Sequence, residues 1–407
     1  MNNIIRIGIL KETKSPPDHR VPFTPGQLRM MKGKLPVLVF SIQPSEIRCY
    51  SDREYASEGI VLKNDLSDCN LLLGIKEVSI DTLIPDKTYM FFSHTGKKQS
   101  HNRKLLQAMA AKRTTLIDYE YLTDTTNNRL VAFGRWAGIV GAYNGLRAWG
   151  ERYNLYKLKP AHKCFDLEEM KSEIRKVSLP PIKILISGGG RVAGGALETM
   201  TLLNIREVSP EDYLSINFNK PVLCRIDPWH YAKRKDGSDF NMNHFISQPG
   251  QYESRFKPFT GITDLYLSCH FWDPASPVLI DRQDMVEPGF RIKVIADISC
   301  DINGSIKSTV RASSIDNPFY GYHPVTGKET QAFDPDSITV MAVDNLPGEL
   351  PRDASEDFGR MLMDKIIPSL MEEDSQDIIG RATILKEGKL TPRFSYLRDY
   401  LEGLVDL

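Results

Sequence analysis

Residue types suited to proton transfer and anion binding stand at a few points in this chain. Lys76 and Glu77 are adjacent, His94 sits in a polar run, and Asp118-Tyr119-Glu120 follows. Each group directly succeeds a short apolar run, at residues 71–75, 89–92 and 114–117. Loops at strand ends are where open parallel sheets hold ligands. An amine, an imidazole and carboxylates placed there offer donors, acceptors and a route for a proton. A second group lies in KILISGGGRVAGGALETMTLLN, from Lys183 onward. There an apolar run enters Gly188, Gly189 and Gly190, and helical periodicity leaves through Val192, Leu197, Met200 and Leu203. Gly188-x-Gly190-x-x-Ala193 fits the small-residue form of the dinucleotide fingerprint: one glycine for the turn, one for close approach to a pyrophosphate, a small residue for helix–strand packing. Arg191 and Val192 open that helix beside the anion site. Glycine clusters at such turns also serve packing alone, so the motif depends on its context.

The elements around these residues alternate. Residues 4–10 read as a strand and 13–22 as a polar loop; Thr24-Pro25 then supplies an N-cap followed by proline at the first helical position. Strands at 37–40, 71–75, 89–92 and 114–117, with a helix at 99–111, imply a parallel, doubly wound sheet. Residues 137–153 form a long helix with Gly138, Gly141, Ala142 and Gly145 open to close approach, expected to bridge two domains. Residues 157–181 read as a peripheral insertion. Strands at 184–186, 222–226, 265–268, 294–298 and 338–343 supply a second sheet, with a long polar interval at 227–260. A helix at 353–371 is expected to return to the first domain.

At 407 residues the chain is too long for one ordinary core. Its 52 basic and 52 acidic residues balance without a basic block, which argues against nucleic acid as a partner. No apolar run reaches the roughly 18 residues of a membrane span, and the N-terminus has no signal-peptide pattern, so a cytoplasmic location is expected. Six cysteines are scattered singly, which points to reduced thiols and to no metal site.

Several segments, in order along nearly the whole chain, carry a family likeness. The opening KET…RVPFTP resembles the alanine dehydrogenase and pyridine-nucleotide transhydrogenase superfamily. LLGIKE, FFSHTGKKQ, IDYE, RLVAFGRWAG, VIADISCDINGSI, IDNPF, DNLPGELPRDAS and GKLTP look like the lysine–ketoglutarate reductase and saccharopine dehydrogenase branch. ADISCDINGSI and GKLTP look closer to the reductase half of the bifunctional lysine-degrading enzyme than to the fungal lysine-forming one. The resemblance implies an oxidoreductase acting on a CH–NH group, interconverting saccharopine with lysine and 2-oxoglutarate through NAD or NADP. An alanine-dehydrogenase-like activity on a small amino acid and a non-catalytic nucleotide sensor are the alternatives.

By that resemblance Lys76 and His94 are the catalytic pair, each cation depressing the other's pKa, with Glu120 and Glu77 tuning them; Glu77 is also a substrate contact. Arg20 and Arg129 hold substrate carboxylates, and Arg135 is a further candidate, since planar guanidinium suits bidentate binding. Asp297 and Asp344 match acidic residues at the nicotinamide ribose and the lysine amino group. Residue type alone leaves other roles open: His94 as a loop residue capping a helix, Lys76 as a solvated cation, Arg135 as a surface ion pair, and both aspartates as helix caps. The fungal enzyme pairs a cysteine in its glycine turn with a later one. Val192 and Ala193 stand in that region here, so Cys269 is not expected to form this disulfide. The acid that holds the adenosine ribose belongs about 20 residues beyond the turn. Ser209 falls there, with Glu207 nearby and Arg225 on the following strand, which leans toward NADP; a two-residue shift would restore Glu207.

The resulting expectation is an α/β protein with two Rossmann-like doubly wound parallel-sheet domains and a cleft between them. Residues 1–135 plus 345–407 form the catalytic domain, and 136–344 the dinucleotide-binding domain. Small molecules are the expected partners, cleft closure accompanies binding, and the oligomeric state is open.

Overall fold

The computed structural model describes residues 4–371 and 374–404; the outer ends of the expected domains, 1 and 407, lie outside the described residues. The chain divides into two compact units, Met1–Phe133 with Pro351–Leu407, and Gly134–Leu350. Each unit is built on one eight-stranded, mostly parallel sheet.

In the first unit, strands β1 (Ile5–Ile9), β2 (Leu38–Ile42), β3 (Val61–Leu62), β4 (Leu71–Leu73), β5 (Thr88–Phe91) and β6 (Thr115–Asp118) run parallel, in the order β6-β5-β4-β1-β2-β3. Much of their surface is buried, as in Leu71–Leu73 and Tyr89–Phe91, which suits a parallel sheet covered on both faces. The helix Pro25–Lys34 starts as expected: the Thr24 side chain accepts from the Gln27 N–H, and Gln27 Oε1 accepts from the Thr24 N–H at 3.0 Å. The final segment returns to this unit. Its helix Pro351–Met361 is fastened by Val21 N–H to Ser355 Oγ (2.9 Å) and Gln27 Nε2 to the Glu356 carbonyl (2.7 Å). The expected single helix to residue 371 breaks into a π-turn at Leu362–Ile366 before Ile367–Met371. Pro368 lacks the N–H that would close the α-turn there.

The second unit contributes β7 (Lys183–Ser187), β8 (Arg206–Glu207), β9 (Val222–Ile226), a separate two-stranded ribbon of β10 (Ala232–Arg234) and β11 (Tyr252–Ser254), then β12 (Leu265–Ser268), β13 (Val294–Asp297), β14 (Phe319–His323), β15 (Lys328–Thr330) and β16 (Ile338–Met341). Its sheet has the order β15-β14-β16-β13-β12-β7-β9-β8, with β14 and β15 antiparallel. The last two strands of the chain, β17 (Thr383–Lys386) and β18 (Lys389–Leu390), add antiparallel to β6 of the first sheet.

The long helix Gly134–Tyr153 does not bridge: it belongs wholly to the second unit. Its small residues are there for contact. A Cβ at Gly138 would strike the Val192 carbonyl, one at Gly145 would lie 2.8 Å from Leu267, and Gly195 on the helix Arg191–Thr201 gives the same access in return to Arg135. Residues 157–181 carry the short helix Leu167–Ile174, capped by Asp166 and buried through Met170 and Ile174. Among the described residues no helix is long and apolar enough to cross a membrane.

Candidate functional site

In the first unit the ends of β1, β4, β5 and β6 bring charged side chains together. The loop after β4 presents Lys76 and Glu77. His94, three residues past β5, adopts a left-handed backbone (φ 54°) and directs Nδ1 to Glu77 Oε1 at 2.6 Å. Glu77 Oε2 accepts from Lys14 Nζ at 2.9 Å, and Asn102 Nδ2 reaches Oε1 at 3.4 Å. Burial pushes the Glu77 carboxyl up, but the bond and charge of His94, together with Lys14, outweigh it and hold the group at about 2. Lys76 is shifted below the ordinary lysine range by burial first and then by the charge of Arg20. Arg20 and, less strongly, Lys14 are the cations that lower Lys76, while His94 is bound by Glu77.

Glu120 lies just beyond β6, 7 % exposed, and pairs with Arg129 and with Lys97 Nζ (2.8 Å). Against its burial, Arg129 and Lys97 bring its carboxyl below the usual range. Asp118, fully buried, accepts from the N–H (3.0 Å) and hydroxyl (2.5 Å) of Ser93 and from the N–H of Glu120 (2.8 Å), so it braces the loops that carry His94 and Glu120. Arg20 is buried and gripped by Asp18, Nε to Oδ1 at 2.9 Å and Nη2 to Oδ2 at 2.5 Å, with its guanidinium 4.2 Å from the Phe133 ring centre. Lys76, Glu77, His94, Glu120, Arg20 and Arg129 thus all stand in the first unit. Arg135 stands apart, on the helix Gly134–Tyr153 of the second, where Nε and Nη2 meet Glu198 at 2.7 and 2.6 Å. Glu12, Lys14, Asp18 and Lys97 were not singled out from sequence. Their one signal is proximity to motif residues: Glu12 is part of the opening KET motif, Lys14 and Asp18 lie between it and RVPFTP, and Lys97 lies within the segment containing His94.

In the second unit β7 enters the glycine turn. Gly188 has φ +113°, and a Cβ on it would sit 2.7 Å from the Cys269 carbonyl oxygen, so only glycine fits. At Gly190 a Cβ would meet nothing within 4 Å, which leaves open space at the start of the helix Arg191–Thr201. A cavity of about 540 Å³ lies over the turn, lined by Gly188 to Val192, Pro228, Ile246, Phe271 and Ser299 among others. In its wall His270 is buried, with Nδ1 2.8 Å from Ser187 Oγ and Nε2 3.0 Å from Ser305 Oγ; burial brings its imidazole down to about 4. Cys269 is a buried free thiol.

The two residues expected at the ribose stand on and just after β8. Ser209 caps the helix Pro210–Ser215, accepting from the Asp212 N–H at 3.1 Å, and Glu207 is an exposed residue of β8. That strand lies at the sheet edge, one place removed from β7. The neighbour of β7 is β9, and the acid directly after it is Asp227. Asp227 Oδ1 accepts from Arg225 Nη1 at 2.6 Å, the same nitrogen lies 3.2 Å from the Gly188 carbonyl, and a Cβ at Gly189 would run into the Asp227 carboxylate. Asp297, the last residue of β13, is 1 % exposed and accepts from Thr309 Oγ1 (2.6 Å) and the Cys300 N–H (3.2 Å); burial raises its carboxyl to about 6. Asp344 is exposed in the loop after β16.

Residues 8–140 match the alanine dehydrogenase/PNT N-terminal domain family. Alpha-aminoadipic semialdehyde synthase of Arabidopsis thaliana is 30% identical over 436 residues, covering 96% of this chain and 41% of that protein. Saccharopine dehydrogenase [NAD(+), L-lysine-forming] of Yarrowia lipolytica is 24% identical over 400 residues, covering 94% and 96%. The chain is a homologue of both. It spans less than half the length of the semialdehyde synthase, whereas it matches the saccharopine dehydrogenase nearly end to end. An L-alanine dehydrogenase structure superposes on this homologue with a TM-score of 0.64 at 15% identity, over 98% of this chain and 100% of the other, which fixes the α/β fold of two Rossmann-like units. The region matching the N-terminal family carries Lys76, His94, Glu120 and the three arginines.

Proposed function

We propose that this homologue is an NAD-dependent oxidoreductase that interconverts saccharopine with lysine and 2-oxoglutarate, with substrate held by the first unit and dinucleotide by the second. The observation that carries this is the Lys14–Glu77–His94 chain beside a half-buried Lys76 of lowered pKa and two arginines fixed by carboxylates. Joining lysine to 2-oxoglutarate requires a neutral side-chain amine, carbinolamine formation and loss of water to an imine. Lys76, with its pKa lowered, takes the proton from the incoming ammonium. His94 gives a proton to the departing hydroxyl, and the Glu77 carboxylate stabilises the imidazolium. Arg20 and Arg129 bind carboxylates from orientations set by Asp18 and Glu120. A dinucleotide held at the glycine turn of the second unit would supply the hydride chemistry, reduction of the imine or oxidation of the CH–NH group.

The glycine turn, with room above Gly190, fits a pyrophosphate, and Asp227 would hold the adenosine ribose. A carboxylate there suits a 2′-hydroxyl and repels a 2′-phosphate. This supports NAD in place of the NADP that sequence spacing favoured. Absorbance of NADH and NADPH with 2-oxoglutarate, with and without lysine, tests the proposal. Oxidation that requires both substrates and prefers NADH is expected. Turnover with alanine and not with lysine would overturn the substrate, and a preference for NADPH would overturn the role of Asp227.

A further inference from the structure

The backbone ladder between β1 and β4 ends with the Leu10 N–H donating to the Leu73 carbonyl at 2.8 Å. Beyond that point the chain after β4 keeps its bonds on the other side only, where the Ile75 carbonyl accepts from the Phe92 N–H at 3.0 Å. On the side that β1 has left, one side chain takes over. Glu12 Oε1 accepts from the Ile75 N–H at 2.6 Å, and Oε2 from the Lys76 N–H at 3.0 Å. Two residues on, Lys14 binds Glu77. A single loop therefore grips three consecutive residues, and the grip on Lys76 is made through its backbone.

We propose that Glu12 is a positioning residue: its carboxylate clamps the peptide groups of Ile75 and Lys76 and so fixes the direction in which the Lys76 amine enters the site. The inference rests on the reaction proposed above. Both carboxylate oxygens are needed, because the two N–H groups are donors that the departed strand no longer satisfies. The titratable and charged groups facing Glu12 are Asp18, Arg20 and the buried Tyr119 hydroxyl. Burial is the largest influence and raises the Glu12 carboxyl to about 8, with Asp18 adding to it and the two N–H bonds and Arg20 opposing. Above that pH the clamp holds both donors. Below it one oxygen carries a proton, one N–H faces an O–H, and Lys76 loosens.

The test uses the full chain and Glu12→Gln, whose amide nitrogen would set donor against donor. We expect kcat to fall about 10- to 100-fold, as for a reacting group displaced by an ångström, while the Kd of NADH stays within about twofold. The wild-type kcat should show an acid limb near pH 8 that the variant lacks, leaving in the variant only the pH dependence of Lys76 itself. Glu12→Asp, which keeps the charge but shortens the reach, should lose kcat as well. A Gln variant that keeps the wild-type kcat and pH profile would overturn the proposal. So would a loss of kcat matched by equal losses of NADH affinity and melting temperature, which marks a structural role. A second readout needs no turnover: labelling of Lys76 by an amine reagent, followed on its peptide by mass spectrometry. Faster labelling in Glu12→Gln supports the clamp and equal rates refute it, even if the wild-type protein fails to join lysine to 2-oxoglutarate and the functional reading falls.

Discussion

Glu77 shows how a partly buried carboxylate can be stabilised by an imidazole and an ammonium on opposite oxygens. Its side chain is 11% exposed, so its depressed pKa translates into stability with little solvent screening. The folded carboxyl sits at about 2, below its ordinary value, so the contribution is present above the usual carboxylate range and is lost as pH falls toward 2. The shift corresponds to about 3 kcal/mol. Denaturant unfolding of wild type and Glu77→Gln between about pH 6 and pH 2 should converge at the acid end; a constant gap would rule out this linkage. Asp227 makes a second residue-level prediction. Asp227→Ser should weaken NADH by about tenfold, equal to about 1.4 kcal/mol, and weaken NADPH less, as read by fluorescence titration. Equal losses for both nucleotides would show that the carboxylate braces Arg225 and the turn without meeting the ribose.

Among the elements, the crossing of the helices Gly134–Tyr153 and Arg191–Thr201 has the least tolerance. Gly138 faces the Val192 backbone and Gly195 faces the Arg135 backbone, so neither contact can be relieved by rotating a side chain. Gly138→Val should cost about 1–3 kcal/mol or more by overpacking and should weaken NADH binding, because Val192 follows directly on the glycine turn. Gly194→Ala, where a Cβ meets nothing within 4 Å, is the control and should leave both unchanged. The stripe of small residues was legible in the sequence, as were the turn, the Thr24 cap and the apolar runs of the parallel strands; each is a local pattern with one physical meaning. Sheet order was not legible. The two-residue β8 takes the edge and β9 the place beside β7, so spacing along the chain points to Ser209 or Glu207 while the sheet order puts Asp227 next to the glycine turn. The role of Lys14 was hidden for a similar reason: it meets Glu77 only once β1 and β4 are neighbours.

At the level of the molecule, one unit is continuous and the other is assembled from both ends of the described chain. Two calorimetric transitions are expected. Saturating NADH at about 100 times its Kd should raise the transition of the continuous unit by about 2.7 kcal/mol of stability and leave the other near its original temperature. A single transition that shifts as a whole would show that the two units unfold together.

The discontinuity also has a consequence for how the protein is made. The outer edge of the first sheet, β6, is closed by β17, and Arg381 donates to the Thr123 carbonyl across 258 positions of sequence. At 5–20 residues per second a ribosome needs on the order of ten to fifty seconds to deliver that missing strand. Throughout that interval the nascent chain presents an unpaired edge to its neighbours on the polysome, so slowing translation between the two segments should increase its recruitment of chaperones, while the intervening unit, whose sheet is encoded without interruption, can complete itself first.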